Sequence, residues 1–217
     1  MTIAEFVNTI LNMKILVVLS HPDESSFNYA IAQSAVQTLK KNGHEIIKHD
    51  LYRENFDPIL PAAEISKKTR VPLNIKKYCR ELANSDGIII IHPNWWGQPP
   101  AILKGYIDRV FRPGVAYEFA EGDAGEGVPV GLLKARTALV FNTSNTGVER
   151  EHKAFGDPLE ALWKRCIFDL CGVRTFYRRT FSVVVTSTPG QRRAWLDEVH
   201  KIVADYFPPV TSKAQAV

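Results

Sequence analysis

The sequence predicts a doubly wound α/β domain in which a five-stranded parallel sheet carries helices on both faces. Three observations predict it. Ile88 to Ile91 is an unbroken β-branched run without polar alternation, which asks for cover on both faces and hence for a central parallel strand. Short apolar runs alternate along the chain with segments of helical periodicity, the order of successive βαβ units. Polar loops leave three of the apolar runs, and in open α/β sheets the loops at the carboxyl ends of strands bind ligands.

Each element follows in order. Lys14 to Ser20 is a short apolar run that reads as a buried strand. Ala30, Ile31, Ala35, Val36 and Leu39 then recur at helical spacing up to Gly43, a helix stop. His44 to Leu51 supplies a second strand, closing a βαβ unit with a right-handed crossover. Arg53 to Arg70, polar and holding Pro58 and Pro61, reads as a surface excursion. Ile75 to Ser85 reads as a helix entering the strand at 87–93. The next helix has Ala101, Leu103, Ile107, Val110 and Phe111 on its apolar face and stops at Pro113-Gly114. Tyr117 and Phe119 follow at a spacing of two, before a Gly-rich acidic turn, Glu121 to Gly127, expected to be mobile. Lys134 to Phe141 reads as a fourth strand and Asn142 to Gly147 as its exit loop. A charged stretch, Glu149 to Lys153, precedes a helix from Leu159 to about Cys171. Phe176 to Val185 is read as the last strand and Gln191 to Tyr206 as the last helix.

The expected organisation is an extension at 1–12, one domain at 13–207 and a flexible tail at 208–217. Residues 1–12 have an acid at Glu5, no basic cluster and only a short apolar spell, so neither a secretory signal nor a membrane span is expected there. They read equally as an extension ahead of Met13 or as a short helix over a sheet edge. Cys79, Cys166 and Cys171 form no CxxC and no metal spacing, and an odd number suits a reducing cytoplasm. No metal site is expected. The net charge of +4 is scattered, the pattern of a solvated surface rather than a nucleic-acid footprint, and it is compatible with an anionic nucleotide ligand.

The loop at 20–28 places hydroxyls and amides before a helix, whose free N–H groups attract phosphate. Ser25, Ser26 and Asn28 fit equally as helix caps. Neither GxGxxG nor GxxxxGK[ST] occurs, which weighs against a nicotinamide-type Rossmann site or a P-loop. The segment from Pro93 to Pro100 reads as one wall of a site for a flat ring.

From Met13 onward the residues resemble the flavodoxin-like NAD(P)H:quinone oxidoreductases of the DT-diaphorase type. His21-Pro22-x-x-Ser25-Ser26-Phe27-Asn28 matches the first loop of that family. Pro93-x-x-Trp96, then Pro100 to Gly105 and Asp108 to Phe111, matches the second, and Asp50-Leu51-Tyr52 and Asn55 to Pro58 agree as well. The resemblance implies that His21, Ser25, Ser26, Phe27 and Asn28 hold the phosphates and ribityl chain of a flavin, FAD in preference to FMN. Pro93, Asn94, Trp95, Trp96 and Gly97 would line the ring, and Thr143, Ser144, Asn145 and Thr146 would lie near its pyrimidine side. Tyr117 and Phe119 fall where the family has aromatics that stack on substrate across a subunit interface, which implies a homodimer. NADH or NADPH would be the electron donor and a small quinone-like molecule the acceptor, in a ping-pong cycle.

The chain departs from the animal enzymes at their Tyr and His that assist hydride transfer. Phe155 stands at the His position and the Tyr has no secure counterpart. His152 is the nearby candidate for a catalytic role, set against a solvated surface histidine. The alternatives implied are a reductase of azo, nitro or metal acceptors, and a non-enzymatic electron carrier or transporter regulatory subunit.

Overall fold

The computed structural model of the chain describes residues 11–65, 71–123 and 126–211. The expected extension therefore lies outside the described residues apart from 11–12, as do 124–125 of the acidic turn and 212–217 of the tail. Of the tail expected from Pro208, Val210 donates its N–H to Asn42 O at 2.8 Å, so its first residues lie along the end of the first helix.

The main sheet comprises β1 (Lys14–Leu19), β2 (Glu45–Asp50), β3 (Gly87–Pro93), β6 (Thr137–Ser144) and β7 (Thr175–Ser182), all parallel, in the order β2-β1-β3-β6-β7. Between β3 and β6, β4 (Tyr117–Glu118) and β5 (Val130–Gly131) form a separate antiparallel ribbon. Without that ribbon the order is the flavodoxin-like 2-1-3-4-5, which reverses direction between β1 and β3 and opens a crevice there.

Alternate residues of a strand face opposite sides, so Ile88 and Ile90 pack in one layer and Ile89 and Ile91 in the other, all four fully buried. Each such side chain contributes about 1.5–3 kcal/mol of transfer free energy. With one wet face, only alternate positions would contribute. One layer is covered by α2 (Leu73–Ala83), α3 (Ala101–Val110) and a helix of two parts, α5 (Pro158–Glu160) continued by π-type turns over Ala161–Asp169. The other is covered by α1 (Phe27–Lys41) and α6 (Pro189–Tyr206).

Local chemistry sets the helix ends. Ser26 Oγ accepts from Tyr29 N at 3.4 Å to cap α1, and Gly43 follows it at φ 84°. Thr188 and Gln191 form a reciprocal capping box on α6.

Four segments differ from the reading of the sequence. The strand expected at 134–141 lies at Thr137–Ser144, because pairing with His92-Pro93 and with Thr180 to Ser182 carries it on through Asn142, Thr143 and Ser144. The last strand ends at Ser182, not Val185. The charged stretch is a helix, α4 (Val148–Phe155). The excursion after Arg53 runs over the surface but is pinned. Arg109 donates to both carboxylate oxygens of Glu64, at 3.2 and 2.6 Å, with both residues buried, and Pro58 lies against Gly105, where a methyl group would meet its carbonyl at 2.2 Å.

Candidate functional site

The loops leaving β1, β3 and β6 converge on a cavity of about 730 Å³ at the carboxyl edge of the sheet. Its lining takes His21, Ser26, Phe27 and Asn28 from the first loop, residues 93–97 from the second and 143–146 from the third. Glu151, Phe155, Pro158 and Val184 complete it.

Hydrogen bonds join the three loops. Asn28 Nδ2 donates to Thr143 Oγ1 at 2.9 Å, and Asn94 N donates to Thr143 O at 2.7 Å. In the second loop Trp95 and Gln98 exchange backbone hydrogen bonds of 3.0 Å. This tight turn places Trp96 at φ 58° and Gly97 at φ 71°, a left-handed backbone that is costly for a bulky residue. The Trp96 side chain is 101% exposed, at the mouth of the cavity. A methyl group on Gly97 would fall 2.8 Å from Pro158 Cγ, so a glycine is needed there for close approach as well as for backbone conformation.

In the third loop, Ser144 Oγ accepts from Thr146 N at 3.0 Å and Asn145 Oδ1 accepts from Val185 N at 3.0 Å.

A buried polar chain lies beneath the second and third loops. Asn142 Nδ2 and Trp163 Nε1 approach His92 Nε2 at 2.7 and 3.0 Å, and His92 Nδ1 faces Pro93 O at 2.8 Å. Two donors on Nε2 and an acceptor at Nδ1 fix a neutral imidazole with its proton on Nδ1. Burial pulls its pKa down to about 4. Asn142 Oδ1 in turn accepts from Arg178 Nη1 at 3.2 Å, and Arg178 bonds the Asp157 carboxylate and, at 2.9 Å, Glu160 Oε2. Asp157 N-caps α5, so this chain of contacts links the floor of the cavity to the corner that presents Phe155 and Pro158.

All but four of the expected site residues line the cavity. Ser25 is exposed, and its N–H and hydroxyl both donate to the Asp23 carboxylate at 2.8 Å. Those bonds hold the Asp23 carboxyl below its ordinary range. Tyr117 and Phe119 lie on the ribbon segment, edge to face at 5.8 Å. The His152 side chain is 59% exposed, with Nε2 3.7 Å from Asp157 Oδ2, and it lines a smaller neighbouring cavity of about 200 Å³.

Sequence reasoning missed Glu151, Pro158, Val184 and the His92–Asn142–Arg178 chain. A signal for Glu151 was available. Glu149 and Lys153 are spaced i,i+4 between Gly147 and Gly156, a short helix that places Val148, Glu151 and Phe155 on one face.

Among the described residues no group of three or more His, Cys, Asp or Glu side chains is placed to hold a metal ion, and no helix is long and apolar enough to cross a membrane. Cys79 and Cys171 are buried and Cys166 is exposed. The cavity combines aromatic walls with amide and hydroxyl edges, which suits a flat ligand with a polar rim.

Residues 13–201 match the family described as having the flavodoxin-like fold. An uncharacterized NAD(P)H oxidoreductase of Haemophilus influenzae is 31% identical over 192 residues, covering 85% of this chain and 91% of that protein. An FMN-dependent NADH:quinone oxidoreductase of Clostridium perfringens is 36% identical over 141 residues, covering 61% of this chain and 68% of that one. The chain spans about half the length of rat NAD(P)H dehydrogenase (quinone) 1, with 35% identity over 48% of this chain and 45% of the rat enzyme. The crystal structure of Smu.1420 from Streptococcus mutans UA159 superposes with a TM-score of 0.77 at 29% identity, over 89% of this chain and 100% of that one.

Proposed function

The chain belongs to the flavodoxin-like family that includes the NAD(P)H:quinone oxidoreductases, and we propose that it is a flavin-dependent enzyme that takes a hydride from NADH or NADPH and delivers two electrons to a quinone-like acceptor. The observation that carries this reading is the 730 Å³ cavity at the junction of three strand-exit loops, with Trp95, Trp96 and Phe155 beside a rim of amides and hydroxyls.

The residues fit a flavin on two counts. Two cavity residues, Asn28 and Asn94, each keep a buried amide oxygen without a partner among the described residues, acceptors that an N–H or O–H of a ligand would satisfy. Trp95 and Phe155 line the same cavity and offer aromatic faces to a flat ring. A bound flavin supplies the hydride-accepting and electron-donating chemistry.

The protein supplies orientation and exclusion of water. His21, Ser26 and the free N–H groups at the start of α1 would hold phosphate. Trp95 and Trp96 would cover a ring edge, and donors from Thr143 to Thr146 would stabilise negative charge on the polar rim. Because one open face would serve donor and acceptor in turn, the kinetics are expected to be ping-pong.

FAD is favoured over FMN by the His21 to Asn28 loop, although the C. perfringens relative is FMN-dependent. A homodimer would bring a second copy's Tyr117 and Phe119 over the open face. One domain at 13–207, acting in the cytoplasm, completes this reading. An azo, nitro or metal compound as acceptor is the second reading at the same site.

The test is to purify the protein, identify the flavin released on denaturation, and mix the reduced protein with menadione without oxygen. Bound flavin that NAD(P)H bleaches and menadione reoxidises is the expected result. Absence of flavin after expression with excess riboflavin overturns the proposal, and bleaching without reoxidation by any quinone points to a carrier.

A further inference from the structure

Glu151 is the one carboxylate among the described residues lining the main cavity, and it is only 8% exposed. A carboxylate removed from water is costly unless ion-paired or fully hydrogen-bonded. Among the described residues no cation pairs with Glu151, and its side chain has one hydrogen-bond partner, the neutral Asn94 Nδ2, at 3.1 Å from Oε1. Among the described residues Oε2 receives no hydrogen bond. The nearby cations are engaged elsewhere, Arg178 with Asp157 and Glu160 and Arg179 with Glu198.

An ionised carboxylate only accepts. The contact therefore commits the Asn94 NH₂ to Glu151 and leaves Asn94 Oδ1 as a second acceptor, one that is buried and unpartnered. Two residues lining the cavity, Asn94 and Glu151, thus each keep an acceptor oxygen without a donor among the described residues.

We propose that Glu151 is a specificity-determining residue that accepts a hydrogen bond from an amide or imide N–H of the bound ligand. The inference rests on the flavin reading above. That reading offers two sources of one chemistry, the imide of the flavin's pyrimidine ring and the carboxamide of the dihydronicotinamide. A ligand lacking the N–H would leave the carboxylate buried and unpaired, a penalty that produces strong discrimination.

The experiment compares wild type with Glu151→Ala and has two arms. In the first, apoprotein is titrated with FMN and with 3-methyl-FMN, which lacks the imide N–H, and binding is read by fluorescence. In the second, flavin-loaded protein is given NADH and reduced 3-acetylpyridine adenine dinucleotide, which lacks the carboxamide N–H, and the ratio of their KM values is read.

In one arm wild type should prefer the N–H form by roughly tenfold or more, and Glu151→Ala should reduce that preference to within about twofold. The arm that responds identifies the source. Glu151→Gln, whose amide oxygen still accepts from Asn94 Nδ2 while its NH₂ replaces the remaining acceptor, keeps the brace and should lose the preference as Glu151→Ala does. A preference kept in Glu151→Gln would reduce Glu151 to a brace for the second loop and overturn the proposal. If Glu151→Ala does not fold, Glu151→Met, similar in length and without an acceptor oxygen, is read in its place. Flavin binding and NADH oxidation with both ratios unchanged in the variant would overturn this proposal and leave the enzyme reading standing. Failure of wild type to bind flavin would overturn both.

Discussion

Trp163 Nε1 donates to His92 Nε2 at 3.0 Å, tying the helix behind the sheet to the residue that precedes Pro93. The neutral state of His92 gives stability a pH dependence of definite sign. Burial lowers its pKa from 6.5 to about 4, so the unfolded chain binds the extra proton between those values. The contribution is fully present above pH 6.5 and is lost as pH falls toward 4, by about 3 kcal/mol. Denaturant midpoints of wild type and His92→Gln, measured across that range, should differ in slope. Parallel curves would show that His92 does not carry the effect.

Trp96→Gly is expected to act in opposite directions on stability and binding. Glycine relieves a left-handed backbone, stabilising the apoprotein by about 1 kcal/mol, and the fully exposed indole contributes no core packing. Loss of the aromatic wall should weaken flavin binding by roughly tenfold. Thermal unfolding and flavin titration check the two halves, and unchanged flavin affinity would remove Trp96 from the site.

Glu64→Leu should destabilise the fold by about 3–5 kcal/mol, because it leaves the Arg109 guanidinium buried without its bidentate partner. Adding Arg109→Met should restore much of that loss. Chemical denaturation of the two single variants and the double variant gives the coupling, and simple additivity would mean that the pair does not pin the excursion.

His152→Ala should leave the rate of flavin reduction by NADH within about threefold of wild type, since the imidazole is largely solvated and outside the main cavity. Stopped-flow bleaching measures it. A fall of a hundredfold would return His152 to a catalytic role.

The sheet was legible because its signal is local. Ile88 to Ile91 required two covered faces, and Gly43, at φ 84°, follows its helix where the sequence placed the stop. The polar loops were legible for the same reason, since small hydroxyl and amide residues follow each apolar run.

What was missed depends on partners far away in the chain. Glu151 gains its meaning from Asn94, 57 residues earlier, and Asn142 from His92, 50 residues earlier. Arg178 resembled a scattered surface charge until the fold set it beside Asp157. Ser25 shows the converse. Its hydroxyl suited a phosphate, yet Asp23 two residues away already uses it.

The loops around the cavity leave β1, β3 and β6, the three inner strands, while β2 and β7 take the sheet edges. Toward their carboxyl ends those inner strands hold the fully buried side chains Leu19, Ile91 and Phe141. The socket is thus anchored in the part of the molecule that opens last. The empty protein should keep its shape, so the proposed flavin would be stripped out and another seated without refolding the chain.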